Sequence, residues 1–202
     1  MFDDVKRKFE TDGFAVIEGL FSPQEVEEMK NEANNLIKLM PGESKRAVFS
    51  TTDSESQQNK DKYFLDSGDK ISYFYEPGAL GPNGELLVEP EVSLNKIGHA
   101  LHELNPVFRK YTFSEKIKEA AFQLGFEEPV IPQSMYIFKN PKIGSEGSCI
   151  LIHGQVVHYS EANKSSKPRH AYTFHVIEQK NTTYSKDNWL QPTRTFLNLY
   201  RN

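Results

Sequence analysis

Apolar positions recur every three or four residues in the first part of this chain and every second residue near its end, so helices are expected first and strands last. Residues 3–12 place Val5 and Phe9 four apart, with Gly13 as a stop. The stretch FAVIEGLF reads as a short strand. After it, Val26, Met29, Ala33, Leu36, Ile37 and Met40 form one stripe at helical spacing. Ser22 is a suitable N-cap, Pro23 suits the first helical position, Glu25 completes a capping box, and Pro41-Gly42 ends the run. Residues 41–62 are polar and predict a solvated loop with a short strand at Ala47–Phe49, and DKISYFYEPG predicts a strand closed by a Pro-Gly turn. SLNKIGHALHELNP has Leu94, Ile97, Leu101 and Leu104 at helical spacing and predicts a second capped helix. SEKIKEAAFQLG predicts a third, with Ser114 as cap and Gly125 as stop. Beyond it, PVIPQSMYIFKNP, SCILIHG, QVVHYS and RHAYTFHVIE are rich in Val, Ile, Tyr and Phe and predict strands. The fold class this order implies is α+β, in a single domain over 1–202.

Composition narrows the function classes. The chain is 37% hydrophobic and 12% aromatic, which is enough to build a core. A net charge of −4 without a Lys/Arg stripe gives no basis for nucleic-acid or membrane-surface binding. The single Cys149 is flanked by Ile150 and Leu151 and reads as a buried, inert thiol in a reducing compartment. The start, MFDDVKRKFETDGF, lacks the apolar run of a signal peptide, so a cytoplasmic location is expected.

Chemistry concentrates in ILIHGQVVHYSEANKSSKPRHAYTFH. His158 and Ser160 are two apart and would project from the same face of a strand. The turn-rich EANKSSKP lets the chain reverse, so Arg169 can stand across from Ser160. A neutral imidazole is a good ligand for a divalent transition metal. A guanidinium beside a hydroxyl clamps a carboxylate through parallel charge-assisted hydrogen bonds. Such a pairing suits a small dicarboxylic acid, although a lone strand His and an Arg after Ser-Lys-Pro are more often a rim residue and a solvated one.

HYSEANKSSKPR resembles the H-x-S…N-x-S…R segment of the phytanoyl-CoA dioxygenase family, and DGFAVIEGLFS, YFLDSGDKI, NKIGHALHELNPVF, QSMYIFKNP and NWLQPT resemble stretches of one of its members. The resemblance runs through residues 2–143 and 149–202. It implies an oxygenase dependent on Fe(2+) and 2-oxoglutarate, built on a double-stranded β-helix (a jelly roll), with iron held by two histidines and a carboxylate. It further implies that His158 is the distal histidine ligand and that Arg169, with Ser160 beside it, clamps the far carboxylate of 2-oxoglutarate. Lys96 and Met135 match positions lining the co-substrate pocket. The substrate is an unidentified small molecule.

The chain departs from that pattern in one place. In the family, the strand corresponding to QSMYIFKNP leads into a His-x-Asp motif carrying the other histidine and the carboxylate. Here KNPKIGSEG runs straight into SCILIHG. None of the six histidines, His99, His102, His153, His158, His170 and His175, has an acid two residues later. No catalytic residue is therefore assigned, and a deletion junction is expected at 144–149, with several internal strands missing. Glu146 and His153 could complete a site with His158 only in a rearranged sheet, and Glu146 reads as a solvated turn residue. His99 and His102 read as helix surface or rim, Tyr136 and Phe138 as core, and Trp189 as packing for the C-terminal tail. The expected function is a family dioxygenase whose present form is catalytically impaired. The alternative is a non-catalytic isoform or incomplete gene product that binds weakly at most.

Overall fold

The computed structural model describes residues 2–43, 46–48, 62–138, 147–159 and 170–202. The first helix, α1 (Phe2–Asp12), buries Val5 and ends where Gly13, at φ 77°, donates to the Phe9 carbonyl at 3.1 Å. Strand β1 (Phe14–Ile17) follows, its Ala15 and Ile17 turned into the core.

Helix α2 (Pro23–Lys38) starts with both halves of the expected capping box. The Ser22 N–H donates to Glu25 Oε2 at 2.7 Å, and the Glu25 N–H donates to Ser22 Oγ at 3.3 Å. Its stripe buries Ala33, Leu36 and Ile37. We expect Ser22→Ala to cost about 1 kcal/mol, seen as a fall of roughly 2–4 °C in the thermal midpoint. An unchanged midpoint would mean that the cap adds nothing here.

The largest sheet has the order β2-β3-β4-β6-β8, built from β2 (Ala47–Val48), β3 (Ile71–Tyr75), β4 (Leu94–His99), β6 (Ser134–Ile137) and β8 (Ala171–Phe174). The β2–β3 pair is parallel and the others are antiparallel. A second sheet sets β5 (Pro129–Ile131) between β10 (Leu197–Asn198) and β9 (Ile177–Glu178). Strand β7 (Cys149–Ile152) pairs with β1 in a sheet of two. The class is α+β with largely antiparallel sheets. The main core lies where α2 covers the five-stranded sheet. Tyr73, Ile97 and Tyr136 form a cross-strand row on that face, and the Tyr73 hydroxyl donates to the Leu36 carbonyl at 3.0 Å.

The second expected helix is corrected. Residues 94–99 are the central strand of the large sheet, and helix resumes only as α3 (Leu101–Leu104) and α4 (Pro106–Thr112). A strand between two neighbours with both faces covered shows no alternation, because Leu94, Lys96, Ile97 and His99 are all buried. Spacings of three and four at Leu94, Ile97 and Leu101 therefore mimic a helix. Gly98 marks the strand, since a Cβ there would stand 3.0 Å from Met135 Cβ on β6. Asn105, taken as part of a helix end, instead caps α4, its Oδ1 accepting from the N–H groups of Val107 and Phe108 at 3.0 and 3.2 Å.

The third helix, α5 (Glu115–Gln123), is as expected, although the Ser114 hydroxyl donates to the Tyr111 carbonyl at 2.9 Å instead of capping it. QVVHYS is not a strand where it is described. A turn closes from Val156 N–H to the His153 carbonyl at 3.0 Å, and the chain then leaves Val157 and Tyr159 almost wholly exposed. RHAYTFHVIE divides into β8 and β9, broken at His175, whose N–H donates to the Gln133 carbonyl at 3.0 Å. Within the junction expected at 144–149, Gly147 lies against the β1–α2 corner and its carbonyl accepts from Phe21 N–H at 3.0 Å. Its φ is 84°, and a Cβ would come 2.4 Å from the Phe21 carbonyl oxygen, so only glycine fits.

Candidate functional site

Strands β4 and β6 carry the two co-substrate residues expected from the sequence onto one face of the sheet, opposite the one α2 covers. Lys96 pairs in register with Phe74 on one side and Ile137 on the other, and Gly98 pairs with Met135. The same face continues across β8 to Ala171 and Thr173. Met135, Ile137, Ala171 and Thr173 are half-buried, so this face stays partly open, while Lys96 at its inner end is only 7% exposed.

Aromatic rings surround the lysine. Its Nζ stands 5.2 Å from the centre of the Phe64 ring and 5.1 Å from that of Phe74. His99 packs edge-on to Phe64 at 5.3 Å and to Trp189 at 5.1 Å. The Ser67 hydroxyl donates to the Phe64 carbonyl at 2.5 Å, so its oxygen accepts from His99 Nδ1–H at 2.8 Å. This fixes one neutral tautomer of His99 and leaves its Nε2 with the lone pair.

Burial sets the protonation here. Loss of water pushes Lys96 down to about 8. Ring faces attract an ammonium by about 0.5–2 kcal/mol, but they replace its hydration only in part. Burial, with smaller contributions from the Lys96 and His175 charges, pushes His99 down to about 3. His102 is also buried, and burial takes it to about 4. Its ring Nδ1 lies 2.9 Å from Ser134 Oγ, which also accepts from the His102 backbone N–H at 2.8 Å. Both histidines are thus core groups, correcting their reading as helix surface or rim, and Lys96 is a strand residue of the interior.

His158 stands elsewhere. It is exposed on the segment after β7, beside the two-stranded sheet, with Nδ1 2.9 Å from the Val156 carbonyl. Ser160, Arg169 and Glu146 lie outside the described residues. His153 packs edge-on to Phe9 at 5.5 Å, and its Nδ1 accepts from Gln155 N–H at 3.2 Å, which are structural contacts. Among the described residues no three His, Cys, Asp or Glu side chains converge as metal donors. The donors described do not fit the two-histidine, one-carboxylate set that the family resemblance implies. Tyr136 and Phe138 are buried as expected, and Trp189 does pack the tail, onto Phe64 and His99. The Cys149 thiol is pushed up to about 11 by burial, consistent with an inert role.

Phe64, Ser67, Phe74, His99 and Trp189 were not singled out as site residues by sequence. Only Gly98, a helix-poor residue inside LNKIGHAL, signalled that this stretch is a strand bringing Lys96 and His99 inward.

The family described as Phytanoyl-CoA dioxygenase (PhyH) matches residues 9–147 and, in a second stretch, residues 145–171. The chain belongs to the phytanoyl-CoA dioxygenase family. It is similar to the phytanoyl-CoA dioxygenase domain-containing protein 1 homolog of Caenorhabditis briggsae, at 38% identity over 286 residues, covering 98% of this chain and 99% of the relative. Phytanoyl-CoA dioxygenase domain-containing protein 1 of Bos taurus is 35% identical over 272 residues, covering 93% and 94%. Among solved structures, the non-heme alpha ketoglutarate dependent epimerase SnoN from nogalamycin biosynthesis superposes with a TM-score of 0.39 at 13% identity. That match covers 70% of this chain and 39% of that one, too little to define the fold. Among the described residues no helix is long and apolar enough to cross a membrane.

Proposed function

We propose that the chain is an Fe(2+)- and 2-oxoglutarate-dependent dioxygenase by descent, in a form that has lost the segment carrying His-x-Asp and is catalytically impaired. The observation carrying this is a seam. The two family matches meet at 145–147, where the sequence passes from KIGSEG to SCILIHG. An alignment of 286 positions, set against 202 residues here, leaves at least 84 positions of the Caenorhabditis briggsae relative without a counterpart, although 98% of this chain is matched. Two family matches that meet within three residues, in a chain so much shorter than its alignment to that relative, favour loss of a piece over gradual divergence, which would have left a degraded motif. On this reading the fold is a double-stranded β-helix lacking several strands. The β7–β1 pair and the outer edge of β8 are where the missing strands would attach.

The retained half is His158 as the distal ligand and Arg169 with Ser160 as the carboxylate clamp, with Lys96 and Met135 on the pocket wall. The reaction the family chemistry would run needs a second histidine and a carboxylate. This chain supplies neither in the required motif. The substrate is a small molecule, and neither nucleic acid nor a membrane is a partner.

Sequencing the transcript across the codons for Gly147 and Ser148 tests the reading. The expected result is a splice junction, with a longer transcript of the same gene carrying His-x-Asp in at least 84 further codons. A continuous coding exon in the gene, with no such longer form, would count against it.

A further inference from the structure

Strand β7 pairs with β1 on one side, and among the described residues no strand meets its other edge. The His153 N–H donates to the Gly13 carbonyl at 2.8 Å, so Leu151 and Cys149, two and four residues back, also turn their backbone groups toward β1. Ile150 and Ile152 therefore aim theirs at the open edge. We propose that two copies of the chain associate along this edge, β7 pairing antiparallel with β7 of the second copy about a two-fold axis at Leu151. The inference uses neither the iron site nor the seam.

Three observations make a second copy the occupant. The first is register. A two-fold axis at Leu151 sets Ile150 opposite Ile152 of the other copy, and Ile152 opposite its Ile150. Both pairs then fall in the phase where two residues exchange two hydrogen bonds, so the edge is complementary to itself.

The second is charge. Residues 147–159 contain no Asp, Glu, Lys or Arg, in a chain that is 26% charged and carries a net −4. Self-pairing opposes Cys149 to His153 and Ser148 to Gly154, so no like charges meet. The segment has no charge with which to select a partner of opposite sign. It also lacks the Lys and Pro that commonly guard open edges.

The third is area. Ala15, Ile17, Cys149 and Leu151 turn inward, which leaves Phe14, Val16, Ile150 and Ile152 on the outer face of the ribbon. Phe14 is 49% exposed and Ile152 45%, and on the segment after β7 Val157 is 99% exposed and Tyr159 83%. A whole aromatic side chain covers about 150–250 Å² and the aliphatic ones less, so these four offer roughly 500 Å² per copy. Two copies would bury roughly 1,000 Å², the lower limit for a specific interface. The dimer is thus expected to be weak, half-formed at tens of micromolar chain.

Sedimentation equilibrium of the full chain, from about one to several hundred micromolar, tests this. We expect the mass to rise from one chain to two and stop there. Ile152→Lys should stay monomeric throughout, whereas Phe122→Lys, at a residue 65% exposed on α5, should dimerise like the parent. Hydrogen exchange on the parent gives a second readout that needs no variant. Amides of residues 149–152 should exchange at least fivefold more slowly at the highest concentration than at the lowest, and those of α5 should not change. A parent that is monomeric at every concentration overturns the proposal, as does growth beyond two copies. Dimerisation that Ile152→Lys leaves intact, or exchange at 149–152 independent of concentration, overturns it equally.

Discussion

Lowering the pH from 7 to 5 is expected to remove on the order of 4 kcal/mol of folding stability, most of the margin of a domain at the low end of the ordinary range of about 5–15 kcal/mol. The cause is the pair of interior histidines. His99 and His102 titrate near 3 and 4 in the folded chain, against about 6.5 when unfolded. Between those values the unfolded chain binds more protons than the folded one, so stability is complete above about pH 6.5 and drains away as the pH falls toward the folded values. At pH 5 each group contributes a loss of about 2 kcal/mol. His170 and His175 are also lowered by burial and act in the same direction. Urea unfolding at the two pH values measures the difference. In His99→Asn and His102→Asn the pH dependence should shrink by about half each, whatever the variant loses at pH 7. Equal stability of the parent chain at pH 7 and 5 would show that these histidines are hydrated.

The second large effect concerns 2-oxoglutarate. With the chelating half of the site lost as proposed, its binding would rest on the proposed Arg169 and Ser160 clamp alone, a charge-assisted contact worth about 1–3 kcal/mol. After the cost of association that leaves affinity in the millimolar range or weaker. Calorimetric titration of the 202-residue chain in the presence of Fe(2+) should show no saturable binding at micromolar 2-oxoglutarate. A chain with the segment restored should bind, and Arg169→Ala in that chain should weaken 2-oxoglutarate without removing iron. Micromolar binding by the short chain would contradict the proposed loss.

Periodicity revealed those parts of the fold whose burial is one-sided. Helix α2 is the clearest case, because its stripe packs on one sheet and its cap is local chemistry in Ser22 and Glu25. Strand β4 was hidden because burial on both faces erases alternation, and the spacing of Leu94, Ile97 and Leu101 satisfies a helix equally well. QVVHYS misled in the opposite way. Among the described residues its β-branched positions find no partner strand, and Val157 and Tyr159 remain exposed. The position of Lys96 and Met135 on one face follows from the β4–β6 register, a pairing between segments about forty residues apart that no local pattern encodes. The histidines were misjudged for the same reason, since Ser67 and Ser134, which satisfy them, come from distant segments. The absence of an acid two residues after any histidine needs no fold to read, and the proposed loss of half the iron site rests on it.

The central claim is that this form cannot run the family reaction, and succinate formation tests it most directly. Purified chain would be incubated with Fe(2+), ascorbate, oxygen and 2-oxoglutarate, with bound iron and released succinate both measured. The account predicts no stoichiometric iron and no succinate above a protein-free control. Succinate release by the 202-residue chain that is abolished in His158→Ala would contradict it, and would return Glu146 and His153 to consideration as ligands.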